Sequence, residues 1–153
     1  MTKYCFSEVP IINQKLSEVI LQSYDVQNSI LPNHWILPSG FRLGFSDQSD
    51  GDMKIVDNCR KYCADLGVDY DKLVMPRQVH SNHVLALGND ADCLKPGQAD
   101  GLFSDQKHVL GILVADCLPV YLFHLPSGRI ALVHAGWQGI RLQIINSALE
   151  QFD

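Results

Sequence analysis

The sequence predicts an α+β (mixed α/β) domain in which mixed β-sheet layers are flanked by helices. Short apolar or alternating segments are separated by Gly- and Pro-containing turns, which is typical of strands. Two longer segments, 53–66 and 138–152, carry their apolar residues at helical spacing instead. A chain of 153 residues is long enough to bury one hydrophobic core.

Residues 1–39 are expected to form an N-terminal extension of unknown role. They contain a possible amphipathic helix near 14–22, followed by a connector spaced by Pro and Asn residues. The segment 41–46 alternates apolar with small or polar residues and predicts a strand. Gly67 is well placed to end the helix predicted over 53–66. We therefore divide the chain into 1–39 and a domain spanning 40–153.

The remaining elements are mostly strands. The segments 73–80 and 83–88 predict two strands that lie near each other, and the almost wholly apolar 109–117 predicts a strand covered on both faces. A turn at 126–128 joins the strands PVYLFHL and RIALVHA. Because the final helix would normally lead into another strand and the sheet would keep an open edge, we expect a shortened form of a longer protein.

Composition narrows the functional classes. The net charge is −5 and no basic run is present, which argues against nucleic-acid binding. No segment approaches the length of a transmembrane helix, and the N-terminus lacks the apolar stretch of a signal peptide. The five cysteines are odd in number and have no disulfide-scaffold spacing. We therefore expect a cytoplasmic protein whose thiols serve as core residues, ligands or nucleophiles.

Three potential metal ligands each follow an apolar segment: His80, Cys117 and His134. If these segments are strands of one sheet, their ends can converge on a single point. Two imidazoles and one thiolate suit zinc and leave a fourth tetrahedral position open for water or substrate. The alternative is that Cys117 is a buried core thiol and that both histidines bind backbone carbonyls in the core.

Residues next to these ligands have two interpretations each. Gln78 and Asp116 could orient a ligand histidine, although Asp116 could equally cap a turn. Trp137, between two glycines in HAGWQG, could form a pocket wall or pack in the core. His108 and His124 stand in turn or strand-end contexts and are expected at the surface.

Four motifs occur in a specific order: QVHS at 78–81, ADGLFSD at 99–105, ADCLPV at 115–120 and HAGWQG at 134–139. Over roughly 41–150 the chain resembles the laccase-domain family, also described as multicopper polyphenol oxidases or as zinc-dependent purine nucleoside phosphorylases. The resemblance implies that the three candidate ligands hold the metal. It also implies phosphorolysis of purine nucleosides such as adenosine or inosine and, in some members, deamination of adenosine.

The chain departs from the family at its arginines. It has Asp47 and Gln48 after GFS, Cys59 after Asn58, and Gln138 within HAGWQG, where the family usually has arginine. A carboxamide cannot replace a guanidinium on phosphate. The family's C-terminal third, with its Gly-Pro-Cys segment, is also absent. The sequence therefore predicts an intact metal triad whose anion-binding surroundings are reduced.

These observations favour a zinc-dependent enzyme that acts on a small purine nucleoside, with or without phosphate as co-substrate, and that binds neither nucleic acid nor a membrane. Two alternatives stay open: a metal-free hydrolase with Cys117 as nucleophile and His80 or His134 as base, and a non-catalytic zinc-binding paralogue. Copper chemistry is less favoured, because neither Met53 nor Met75 has an obvious axial placement. The oligomeric state is left open.

Overall fold

The computed structural model describes residues 3–8, 27–28, 34–36, 40–88 and 96–153. Within these ranges, ten strands and three α-helices confirm the predicted α+β class. The strands are β1 Lys3–Glu8, β2 Gln27–Asn28, β3 His34–Ile36, β4 Arg42–Phe45, β5 Leu73–Val74, β6 Val84–Leu87, β7 Gly101–Ser104, β8 Val109–Val114, β9 Leu118–His124 and β10 Arg129–Ala135. The helices are α1 Val56–Leu66, α2 Trp137–Arg141 and α3 Ile144–Leu149.

The strands form two mixed sheets. The first has the order β2-β3-β4-β1-β8-β5, and the second has the order β6-β7-β10-β9. Pairing is antiparallel except for β5 with β8 and β6 with β7, which are parallel. Within the expected N-terminal extension, β1 pairs with both β4 and β8, so this segment is an internal strand of the first sheet. The domain boundary at residue 40 stays a prediction, and the helix expected near 14–22 lies outside the described residues.

The main core lies between the two sheets, and β8 and β10 are buried on both faces. Along β10, Ile130 and Leu132 belong to this core, whereas Ala131 and Val133 pack with α3 on the other face. Along β8, Leu110 and Ile112 enter the main core, while Val109 packs with α1. This period of two confirms that the apolar segment beginning at residue 109 is a strand covered on both sides.

The helix predicted over 53–66 forms as α1, and Gly67 ends it in the left-handed conformation at φ 75°. Cys59 and Cys63 are buried on the core side of α1. The prediction of a single helix over 138–152 was wrong, because the structure has two short helices there, α2 and α3. Gln143 has a left-handed backbone at φ 63°, which separates α2 from α3.

The strand predicted over 73–80 was too long, since only Leu73 and Val74 pair in the sheet. Pro76 has no N–H to donate to a strand partner. Gln78 replaces that pairing with its side chain: its Nε2 donates to the Leu113 carbonyl at 2.8 Å, and its Oε1 accepts from the Leu113 N–H at 2.7 Å. The chain between Val74 and His80 is therefore a loop held against β8 by a carboxamide.

The expectation that His108 and His124 lie at the surface was also wrong, because both are buried. Each ring forms a hydrogen bond with a neighbouring serine hydroxyl. His108 Nδ1 lies 2.8 Å from Ser104 Oγ, and His124 Nδ1 lies 2.7 Å from Ser127 Oγ. Burial lowers the pKa of His108, the Asp105 carboxylate opposes that change, and the Lys72 charge adds to it.

This lowered pKa predicts a pH dependence of stability. Below about pH 6.5, the ordinary pKa of histidine, the unfolded His108 takes up a proton that the folded one does not. The free energy of unfolding should therefore fall as the pH falls from 7 to 5. We expect His108→Asn to reduce that slope in urea titrations. Equal slopes in the wild-type protein and the variant would contradict this assignment.

Candidate metal centre

His80, Cys117 and His134 come together in the structure. One ligand atom from each residue lies within 4.8 Å of the other two. The three differ in exposure, since His134 is buried, Cys117 is half-buried and His80 is exposed. The two imidazoles meet edge to face, with ring centroids 4.9 Å apart. The group therefore forms a cluster with a buried floor and one side open to solvent.

The β9–β10 hairpin places two of these residues. His134 is the second-last residue of β10, and Cys117 immediately precedes β9. Because Leu118 pairs with Ala135 in this hairpin, Cys117 lies next to Gly136 at the end where the strands part. The expectation that all three residues end strands was wrong for His80, which lies in the loop after β5 with φ 60°. It was also wrong for Cys117, because β8 ends at Val114 and Cys117 lies directly before β9.

Gly136 lies against all three side chains. A Cβ atom at this position would lie 3.0 Å from Cys117 Sγ, 3.4 Å from His80 Cδ2 and 3.8 Å from His134 Cε1. Its backbone angles, φ −74° and ψ 163°, are ordinary for any residue. Glycine is therefore needed here for space and not for a special conformation.

Asp100 is the carboxylate that contacts the cluster. It is fully buried, and its Oδ1 lies 3.0 Å from His134 Nδ1. It also accepts backbone N–H bonds from Val79, His80 and Ser81 at 3.2, 2.9 and 2.7 Å, and the Ser81 hydroxyl at 2.8 Å. Burial would raise the pKa of Asp100, but the bonds from the Ser81 N–H, His134, the Ser81 hydroxyl and the His80 N–H lower it below its usual value.

The negative charge of Asp100 determines which tautomer His134 adopts. A carboxylate accepts hydrogen bonds and donates none, so the proton of the His134 ring lies on Nδ1. Nε2 then carries the lone pair that a metal ion requires. Sequence reasoning missed Asp100, although it lies in the ADGLFSD motif directly before the buried strand β7.

The three other predicted site residues differ in placement. Gln78 binds the backbone of Leu113, so it holds the loop that carries His80. Asp116 is exposed in the connection before Cys117. Trp137 begins α2 directly after Gly136 and is 72% exposed, so its indole lies at the surface. Its role as a pocket wall stays a prediction.

The donor set fits one zinc ion. Zinc binds imidazole nitrogen at about 2.0–2.1 Å and thiolate sulfur at about 2.3 Å, so one ion could contact all three donors after a small closure. The missing side chain at Gly136 keeps open the space beside Cys117 Sγ. Three protein donors and an exposed side are the features of an open, catalytic type of zinc site.

The positions at which the family resemblance implies arginine hold side chains unsuited to phosphate. Asp47 caps a short 3-10 helix, Cys59 is buried in the core, and Gln138 is an exposed amide. Arg60 lies next to Cys59, but its guanidinium stacks 4.1 Å from the centre of the Tyr70 ring and lies 3.4 Å from an Asp71 carboxylate oxygen. That guanidinium is engaged on the outer side of α1.

Comparison with known proteins gives a consistent pattern. A family model described as multi-copper polyphenol oxidoreductase laccase matches residues 38–153. A purine nucleoside phosphorylase of Corynebacterium glutamicum is 36% identical over 118 residues, which cover 75% of this chain and 47% of that protein. A protein named adenosine deaminase RL5, from an unknown prokaryotic organism, is 31% identical over 110 residues, which cover 67% of this chain and 42% of its own length.

Solved structures are similar as well. The hypothetical protein YfiH of Bacillus licheniformis gives a TM-score of 0.57 at 25% identity, over 63% of this chain and 39% of that one. YlmD of Geobacillus stearothermophilus gives 0.53 at 28% identity, over 64% and 40%. The chain spans about half the length of the curated relatives it matches.

No helix in the described part of the chain is long and apolar enough to cross a bilayer.

Proposed function

Since the chain belongs to the family described as multi-copper polyphenol oxidoreductase laccase, we propose that it is a zinc-dependent enzyme acting on purine nucleosides. The observation that carries this proposal is the cluster of His80, Cys117 and His134, whose ligand atoms lie within 4.8 Å of one another. The names of the relatives, purine nucleoside phosphorylase and adenosine deaminase, supply the substrate class.

Zinc suits this cluster better than copper in an oxidase. A blue-copper site adds a weak axial ligand, usually methionine, to two histidines and a cysteine. Met53 is buried in the core cluster beneath α1, and Met75 packs against the same cluster. Neither thioether is therefore placed to complete a copper site, whereas the three donors alone satisfy an open zinc site.

The chemistry follows from the residues around the cluster. Zinc held there would lower the pKa of a bound water and polarise an electrophile. Other residues of the chain orient the metal ligands. Asp100 keeps the His134 proton on Nδ1, and Gln78 fixes the loop that carries His80. The exposed Trp137 offers an aromatic face to a purine.

We infer that water, and not phosphate, is the preferred nucleophile. Phosphate in a transferase site needs cations or several oriented N–H donors. The side chains of Asp47, Cys59 and Gln138 carry no positive charge, and Arg60 is paired with Asp71. Deamination fits this set of residues, because adenosine and water give inosine and ammonia without any anion being bound.

A phosphate-dependence assay tests this inference. Zinc-loaded protein is incubated with adenosine or inosine, with and without inorganic phosphate, and the products are separated by chromatography. We expect conversion of adenosine to inosine at a rate independent of phosphate. Formation of ribose 1-phosphate at a rate that rises with phosphate would contradict it. Gln138→Arg restores the charge of the family pattern, so in that variant we expect phosphate to begin to stimulate turnover.

A second candidate function is favoured by the contact between Asp100 and His134. Cys117 Sγ, the His134 ring and the Asp100 carboxylate form a thiol–imidazole–carboxylate series like that of a cysteine hydrolase. Alkylation separates the two functions. If zinc holds the thiolate, iodoacetamide should modify Cys117 only after chelation. If the thiolate is the nucleophile, chelated protein should keep its activity and lose it on alkylation.

A further inference from the structure

The strongest feature outside the candidate ligands is the fully buried carboxylate of Asp100. A buried charge is costly unless it is paired and hydrogen-bonded. Asp100 meets that requirement with bonds from two parts of the chain: the loop 79–81, which carries His80, and the ring of His134 on β10. The carboxylate therefore lies between two of the three candidate ligands.

The division of bonds between its two oxygens is specific. Oδ1 accepts both the His80 N–H, at 2.9 Å, and the His134 ring at Nδ1, at 3.0 Å. Oδ2 accepts the N–H groups of Val79 and Ser81 and the Ser81 hydroxyl. One oxygen atom thus links the backbone of the first histidine to the side chain of the second.

This arrangement requires a strained backbone at one residue of the loop. His80 has φ 60°, a left-handed conformation that costs a non-glycine residue about 1–2 kcal/mol. In return, three successive N–H groups point at one carboxylate, an anion-binding arrangement known as a nest. The negative charge of Asp100 favours the convergence of these three N–H dipoles.

The backbone of Asp100 is held separately from its side chain. Its N–H donates to the His83 carbonyl at 3.0 Å, and its carbonyl accepts the His134 N–H at 2.7 Å. A change confined to the carboxylate therefore leaves Asp100 in place beside β10. This separation allows the role of the charge to be tested without removing the residue from the fold.

We propose that Asp100 is the positioning residue of the metal centre, which brings His80 and His134 together by binding both through one oxygen. It orients the His134 ring directly and holds His80 through the backbone of its loop. The inference rests on the proposed zinc site, but it concerns a residue that would touch neither metal nor substrate.

The first test measures the zinc affinity of the variant Asp100→Asn by competition with a chromophoric chelator. The amide keeps the shape but replaces one acceptor oxygen with a donor that faces N–H groups. We expect affinity to fall about 10–100-fold, as for other residues that orient a ligand histidine. Asp105→Asn, in the same motif but exposed, is the matched control and should bind zinc as the wild type does. Wild-type affinity in Asp100→Asn would overturn the inference while leaving the zinc site intact.

The tautomer of His134 gives a second test that needs no folded variant. In nitrogen-15 NMR of the metal-free wild-type protein, we expect the His134 ring proton on Nδ1, and we expect slow exchange of the Val79, His80 and Ser81 amides. A proton on Nε2, or rapid exchange of these amides, would overturn the inference. If the wild-type protein binds no zinc, the proposed function fails, and the tautomer still decides whether Asp100 orients His134.

Discussion

Cys117→Ala is expected to lower zinc affinity by about a hundredfold or more and to abolish nucleoside turnover. The thiolate is one of only three protein donors in the cluster, so its loss leaves two imidazoles. The free energy of binding at zinc sites that contain thiolates is on the order of 10 kcal/mol, and one ligand of three carries a large part of it. Because Cys117 is only half-buried, the metal-free variant should unfold at nearly the wild-type urea concentration.

Cys59→Ala is the matched control for that variant. Cys59 is a buried thiol in the core beneath α1, so its truncation should lower the free energy of unfolding by about 1 kcal/mol. Zinc affinity per folded molecule should not change. Full zinc binding by Cys117→Ala, or loss of zinc from Cys59→Ala, would show that the metal is held elsewhere.

Gly136→Ala is expected to lower zinc affinity about tenfold or more through a single methyl group. The new Cβ would lie 3.0 Å from Cys117 Sγ and 3.4 Å from His80 Cδ2, closer than such atoms normally approach. The donors must therefore spread just where an ion requires them to close. Since φ −74° suits alanine, the substitution adds no backbone strain. Any loss of stability in the metal-free protein should come only from the small shift of Cys117 and His80 away from the methyl group.

Gly88→Ala provides the comparison for this effect. A Cβ at Gly88 would have no atom within 4 Å, so this variant changes the same kind of residue without any contact. Its zinc affinity should match that of the wild type. An unchanged affinity in Gly136→Ala as well would mean that the cluster does not close around an ion.

Residue patterns predicted the elements whose side chains follow a clear period. The apolar run from residue 109 and the helical spacing from residue 53 became β8 and α1 because burial alone determines them. The pattern failed at 73–80, where the Gln78 side chain replaces strand pairing, and at Gln143, whose left-handed backbone divides the last helix. Such single-residue effects leave no mark on hydrophobic periodicity.

The candidate site was predicted in a similar, partial way. The three donors could be named because His80, Cys117 and His134 fall on ordered motifs, and the structure brings them together. Asp100 could not be found, because its importance lies in contacts with three successive N–H groups of a distant loop. Asp116, chosen because it follows an apolar run next to Cys117, is exposed, and its orienting role stays a prediction.

The most direct test of the zinc proposal is the metal content of the purified chain, determined together with its activity on adenosine before and after chelation. We predict one zinc ion per chain, loss of zinc and activity together on chelation, and recovery of both when one equivalent of zinc is returned. Adenosine turnover that persists in zinc-free protein, or a purified chain that neither contains nor takes up zinc, would contradict the proposal.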